Sequence, residues 1–241
     1  MTMNRKSGSG GRAPSTRRGR VVQVMVAGVA VMLGGSLMAS RTASAAVCAP
    51  PAPGAPMFIT DDCTEPRFNN PYIDLDEMRA TPVPHRYVHG GFTGTDAKFS
   101  FAFPPADAEQ YQGRFIQGPT HQLTFNENLQ SGQIAFAIAS GGYAVQTNMG
   151  GSEAATFSEA VLFFGYDPAV VGYRVNAAAA KFSREVAADY YGPHRPYGYL
   201  HGGSGGAYQT ISSAENTTVW DGYVPFVLGS PASIPVSGST R

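Results

Sequence analysis

From residue 114 onward the chain alternates short β-type runs with helical periodicity, and this alternation constrains the fold most. "RFIQ" (Arg114–Gln117) is a short strand broken by Gly118 and Pro119. Residues 129–140 read as a helix stopped at Gly141–Gly142, and "YAVQT" as a buried strand. A long helix is predicted from Pro168 to about Tyr190, with proline in its first turn and Gly192 just past its end. Within it Val171, Val175, Ala178, Phe182, Val186 and Tyr190 recur at three-to-four spacing, giving one apolar face. "YGYLHG" is the next strand, "GGAYQTISSAE" a helix opening at glycines, and "DGYVPFVLGSP" a further strand. Upstream, "HRYVHGGF" and "KFSFAFPP" flank the turn "TGTD" and read as a hairpin, with Phe99, Phe101 and Phe103 on alternate positions. Alternation of this kind predicts an α/β layer whose mostly parallel sheet needs crossover helices. Ligands of such sheets sit beyond the carboxyl ends of the strands. The loops after Gln117, Thr147, Leu200 and Leu228 are therefore the ones to inspect.

Charge is uneven along the 241 residues, although the formal net charge is zero. Residues 1–45 carry Arg5, Lys6, Arg12, Arg17, Arg18, Arg20 and Arg41 and no acid. The remainder holds ten basic residues against seventeen acidic ones, a net of −7, and no basic patch, which argues against nucleic acid as a partner. "STRRGR" leads into "VVQVMVAGVAVML", too short to span a bilayer comfortably, and then into "ASRTASAA", with small residues at Ala43 and Ala45. The order is that of an export signal, with Arg17–Arg18 resembling a twin-arginine type, and predicts a mature protein from about Ala46. The domain reading is a signal segment at 1–45, a Pro-rich extended lead-in at 46–84, an α/β core at 85–231 and a polar tail at 232–241. Export permits disulfides, and Cys48 and Cys63, the chain's two cysteines, are expected to pair. No metal, no organic cofactor and no lasting membrane anchor is expected.

The pentapeptide Gly202-Gly203-Ser204-Gly205-Gly206 has three readings. A flexible linker would have polar, aperiodic flanks, and here the flanks are "YGYL" and "AYQTISSA". A phosphate loop of the G-x-x-x-x-G-K-[ST] type would need a lysine that is not present, and a dinucleotide fingerprint belongs after the first strand. The third reading is G-x-S-x-G between a strand and a helix, a tight turn that presents a serine nucleophile. Gly202 and Gly206 then let strand and helix approach, and the helix start offers N–H groups to an oxyanion, that of Gly205 first.

This elbow, with "DPAVVGYRVNAAAAKFSREVAADYYG", "RPYGYLHGGSGGAYQ" and the following "DGYV", resembles the α/β-hydrolase superfamily. More narrowly it resembles the tannase and feruloyl esterase group, over roughly residues 110–231. The resemblance implies an α/β-hydrolase-type, mostly parallel sheet with an N-terminal antiparallel hairpin. It implies a secreted serine hydrolase acting on a small-molecule ester, with Ser204 as nucleophile. That group usually carries a disulfide-bonded cysteine just before the serine; Gly203 stands there. The second oxyanion donor is expected from the Gln117–Gly118 segment. "HGGF" (His89–Phe92) resembles a lipase oxyanion loop but lies one strand too early, and is otherwise a bend in the hairpin. A prolyl-oligopeptidase-type peptidase shares the elbow, but no propeller repeat is visible.

The triad order implied by the resemblance is Ser, acid, His. Downstream of Ser204 stand Glu215 and Asp221 but no histidine. Asp221 precedes a strand and is expected at the sheet's opposite end. The histidines are His85, His89, His121, His194 and His201, and of these only His121 and His201 lie near the predicted cleft. The chain is read as a shortened hydrolase lacking its last strands, as one whose base comes from elsewhere, or as a non-catalytic ligand-binding relative.

Overall fold

The computed structural model describes residues 45–119, 125–151 and 167–228. The basic leader, His121, most of the loop after Thr147 and the 232–241 tail lie outside these residues. One seven-stranded sheet organises them: β1 (Pro71–Arg79), β2 (His85–Phe92), β3 (Lys98–Phe103), β4 (Arg114–Gln117), β5 (Gly142–Thr147), β6 (Tyr197–Gly203) and β7 (Gly222–Phe226). Their spatial order is β1-β2-β3-β5-β4-β6-β7. The first three strands and the β3–β5 contact are antiparallel, while β5, β4, β6 and β7 pair in parallel, so five of the seven strands share one direction. This is the mostly parallel α/β arrangement with an N-terminal hairpin that the sequence predicts.

Three helices supply the crossovers: α1 (Ser131–Ala139), α2 (Val175–Tyr191) and α3 (Gly205–Asn216). Strand alternation divides the core between two faces. Phe99, Phe101, Phe103, Phe115, Tyr143, Val145 and Leu200 pack toward α2 and the segment before it. Ala102 and Ala144 meet Ile134, Ala137 and Ile138 of α1 on the other face. Phe99 and Phe101 stack at 4.6 Å between centroids, and Phe182 of α2 lies 5.4 Å from Phe99. More of α2 is buried than its predicted stripe. Ala177, Ala179, Ala180, Ser183 and Ala187 are also enclosed, because small side chains let the helix press close to the sheet. The helical run begins at Pro168 as predicted. Within its first turns Val170–Arg174 form a π turn, and a methyl at Gly172 would lie 3.3 Å from Ser212 Cβ of α3, so the two helices meet closely there.

The expectation of a lead-in over 46–84 and a core beginning at residue 85 is corrected. β1 is an edge strand of the same sheet, paired with β2 from Pro71 to Arg79. Its proline and aspartates mask it, and Tyr72, Ile73, Leu75 and Met78 stay largely in solvent, so its apolar residues face no core. Residues before it are also docked. Ile59 and Phe68 are core residues, and Ile59 bridges to Thr217. The Glu65 carboxylate is 4 % exposed, accepts from the N–H groups of Arg67 and Phe68 at 2.7 Å, and pairs with Arg174 of the π turn. A buried charge so fully bonded is a stable anchor. The Lys181 ammonium of α2 donates to the carbonyl oxygens of Thr60 and Cys63, and burial holds its pKa below the usual lysine range.

Cys48 and Cys63 form the expected disulfide, closing a loop of sequence separation 15 beside the small parallel pair of Ala46–Val47 with Cys63–Thr64. "HGGF" is no bend: it is the end of β2. A Cβ on Gly90 would lie 1.9 Å from the Tyr72 carbonyl oxygen, so the glycine admits the irregular β1 backbone. Replacing both cysteines by serine is expected to lower stability by about 3 kcal/mol, the loop-closure value for a 15-residue ring, read from urea unfolding.

Candidate functional site

Ser204 joins the end of β6 to the first residue of α3. It is exposed, with φ 53° and ψ −116°, a conformation a serine adopts only under constraint. Its N–H donates to the Val227 carbonyl at 3.1 Å, and its carbonyl accepts from the N–H groups of Ala207 and Tyr208 at 3.0 and 3.2 Å. The reversal leaves no room beside it. A Cβ on Gly202 would sit 2.5 Å from the Gly206 carbonyl carbon and oxygen. Gly205 and Gly206 then stand at the helix start, where orphan N–H groups and the positive end of the dipole lie. Backbone strain recurs along this rim: the other two non-glycine residues with positive φ among those described are Met149 (56°), past the end of β5, and Val227 (49°), past the end of β7.

Beneath the rim lies a buried polar network that the sequence did not disclose. Asn176 of α2 accepts at Oδ1 from Gln117 Nε2 (3.1 Å) and Thr147 Oγ1 (2.6 Å), and donates through Nδ2 to Gln209 Oε1 of α3 (2.7 Å). The four residues are each at most 2 % exposed. They tie the ends of β4 and β5 to α2 and to the helix that begins at Ser204. Thr147 Oγ1 in turn accepts from the N–H of strained Met149 at 3.2 Å. Gln117, named in sequence as part of an oxyanion segment, therefore spends its side chain in the interior. Gly118, the next residue, reaches the rim. Its carbonyl accepts from Gln133 Nε2 of α1 at 2.8 Å, and His201 Nε2 lies 3.1 Å from the place a Cβ on Gly118 would take. The signal missed in sequence was Asn176, a lone amide within the apolar segment "VNAAAA".

The remaining sequence candidates are dispersed. Asp221 lies at the opposite end of the sheet, as expected. Its carboxylate accepts from the Gly198 N–H at 2.7 Å and pairs with Arg195 and Arg184. Glu215 is exposed on α3. His85 is buried, with Nδ1 bonded to the Val83 carbonyl at 2.7 Å; His194 meets the Tyr111 hydroxyl at 2.5 Å. His89 lies between Asp74 (2.5 Å) and Glu127 (3.3 Å), four strand spacings from β6, about 19 Å. His201 faces α1, edge-on to Phe136 with centroids at 5.5 Å, and is three residues from Ser204, about 10 Å along a strand. The Ser204 side chain makes no capping bond to the helix that it opens. No group of three or more histidine, cysteine, aspartate or glutamate residues is placed to hold a metal, again among the described residues.

No protein-family model matches the chain, and no curated protein matches it by sequence. Solved structures do resemble it. The tannin acyl hydrolase of Aspergillus niger superposes with a TM-score of 0.48 at 16 % identity, covering 65 % of this chain and 31 % of that one. Candida antarctica lipase A gives 0.38 at 12 %, covering 62 % and 40 %, and a cold-adapted esterase from an Arctic intertidal metagenomic library 0.34 at 13 %, covering 58 % of each. The chain thus spans about a third of the tannin acyl hydrolase's length. The strand order and the parallel pairing make this a mostly parallel α/β sheet.

Two substitutions check this geometry. Gly202→Ala is expected to cost about 2 kcal/mol or more, because the intruding methyl meets backbone. Asn176→Ala is expected to cost about 3 kcal/mol, since it strands three buried polar partners at once. Both are read from denaturant midpoints at constant m.

Proposed function

We propose that the chain carries the nucleophile of an exported serine ester hydrolase, Ser204. The carrying observation is the strained φ and ψ of Ser204, held exposed between a parallel strand and a helix start that only glycine at 202 permits. Ser204 Oγ would add to the ester carbonyl, its proton passing to a base as the tetrahedral oxyanion forms. The N–H of Gly205 is the first oxyanion donor and that of Gly118 the second; Pro119 has none to give. Collapse expels the alcohol and leaves an acyl-serine for water to hydrolyse. The sequence resemblance to the tannase and feruloyl esterase group favours esters of aromatic or plant-derived acids. The disulfide and the leader's charge pattern support export.

His85, His89 and His194 are bonded elsewhere, and without a base a serine hydroxyl is a weak nucleophile. A fluorophosphonate probe is therefore expected to label the chain slowly, at Ser204, with labelling lost in Ser204→Ala. Failure of a folded sample to label would favour instead a ligand-binding protein built on the same elbow. Backbone strain at this position makes a separate prediction. Ser204→Gly is expected to raise stability by about 1 kcal/mol while abolishing labelling, because glycine adopts positive φ without cost. Thermal unfolding of the two variants beside wild type checks it.

A further inference from the structure

We propose that Gln133 is a positioning residue that fixes Gly118, and with it the second oxyanion donor; the role in catalysis rests on the ester-hydrolase reading above. Gln133 is the third residue of α1 and half-buried. Its Oε1 accepts from the Gln130 N–H at 2.8 Å, and its Nε2 donates to the Gly118 carbonyl at 2.8 Å. A main-chain N–H can only donate and a carbonyl can only accept, so the two bonds together set the orientation of the amide. One side chain thus caps the start of α1 and grips the loop after β4.

The grip falls where the backbone is least determined by itself. Gly118 has the widest conformational range of any residue. A cavity of about 280 Å³ lies beside it, lined by Gln133, Phe136, His201 and the apolar floor of Ile116 and Ala144. Holding the Gly118 carbonyl fixes its ψ, while proline at 119 fixes the φ that follows. His201 stands on one side, 3.1 Å from the site of an added Cβ. With the carbonyl turned to α1 and the histidine as a wall, the Gly118 N–H keeps a constant direction at the rim. An oxyanion donor needs this, because its value lies in being aimed before the charge develops.

Gln133→Glu separates the two bonds. A glutamate at this position still accepts from the helix-start N–H and suits the positive end of α1, so the helix is retained. Its carboxylate cannot donate to the Gly118 carbonyl and repels it. The full chain carrying Gln133→Glu is expected to unfold at the wild-type temperature. Its fluorophosphonate labelling rate at Ser204 should fall at least about tenfold, and the amide resonance of Gly118 should move in a 15N-resolved spectrum. Protonating the new carboxyl, below pH about 4.3, restores a donor and should return that resonance toward its wild-type position. Gln133→Ala, which loses both bonds, should lower both the unfolding temperature and the labelling rate. A Gly118 resonance unmoved in Gln133→Glu overturns the clamp, and wild-type labelling by that variant overturns its role in catalysis. If the wild-type chain does not label at Ser204, the ester-hydrolase reading fails, and the Gly118 resonance alone then decides whether Gln133 holds the loop.

Discussion

The contact on which the site depends is the one between Gly202 and the backbone of Gly206. A strand that turns directly into a helix brings two main chains within van der Waals distance, and any side chain on the strand residue would fill that space. Because none is there, the chain can reverse within a few residues, and Ser204 is forced into a conformation that lifts its hydroxyl to the surface. The hydrogen bond from the Ser204 N–H to Val227 ties this reversal to the end of the neighbouring strand. Strain at the serine is thus sustained by bonds on both sides of it.

A second layer of order lies just below. The Asn176 amide joins two strand ends and two helices through three hydrogen bonds in a region with almost no solvent contact. In so dry an environment each bond is strengthened and each broken one is costly, so the network fixes distances among these elements that apolar packing alone would leave adjustable. Gln117 and Gln209 are its outer members. One precedes Gly118 in sequence, and the other lies one turn into the helix that begins beside Ser204. The same asparagine therefore braces both shores of the cleft.

The opposite face is less complete. α1 covers β3, β5 and part of β4, whereas Tyr197 and Tyr199 of β6 and Val224 of β7 keep 59, 37 and 57 % of their surface in solvent. Gln133 and His201 lie along the boundary between the covered and uncovered portions. This gives polar contacts to Gly118 an importance that they would not have in a tightly filled layer.

Local signals in the sequence determined the strands, the helices and the elbow. Alternating phenylalanines marked β3, three-to-four spacing marked α2, and glycines flanking a serine between a strand and a helix marked the turn. Each of these depends on neighbours within a few residues, and the strand ends Arg114 and Gln117 emerged as read. Tertiary structure alone decided the rest. β1 is an exposed segment broken by proline and aspartates and becomes a strand only because β2 offers it an edge. Asn176 looks like an interruption in an alanine-rich helix until Gln117, Thr147 and Gln209 arrive from three distant segments. Gln133 looks like a helix-start residue until the β4 loop brings it Gly118. Spacing along a chain reveals which face a side chain occupies; which partner waits there depends on contacts between segments far apart in sequence, and those exist only once the sheet has assembled.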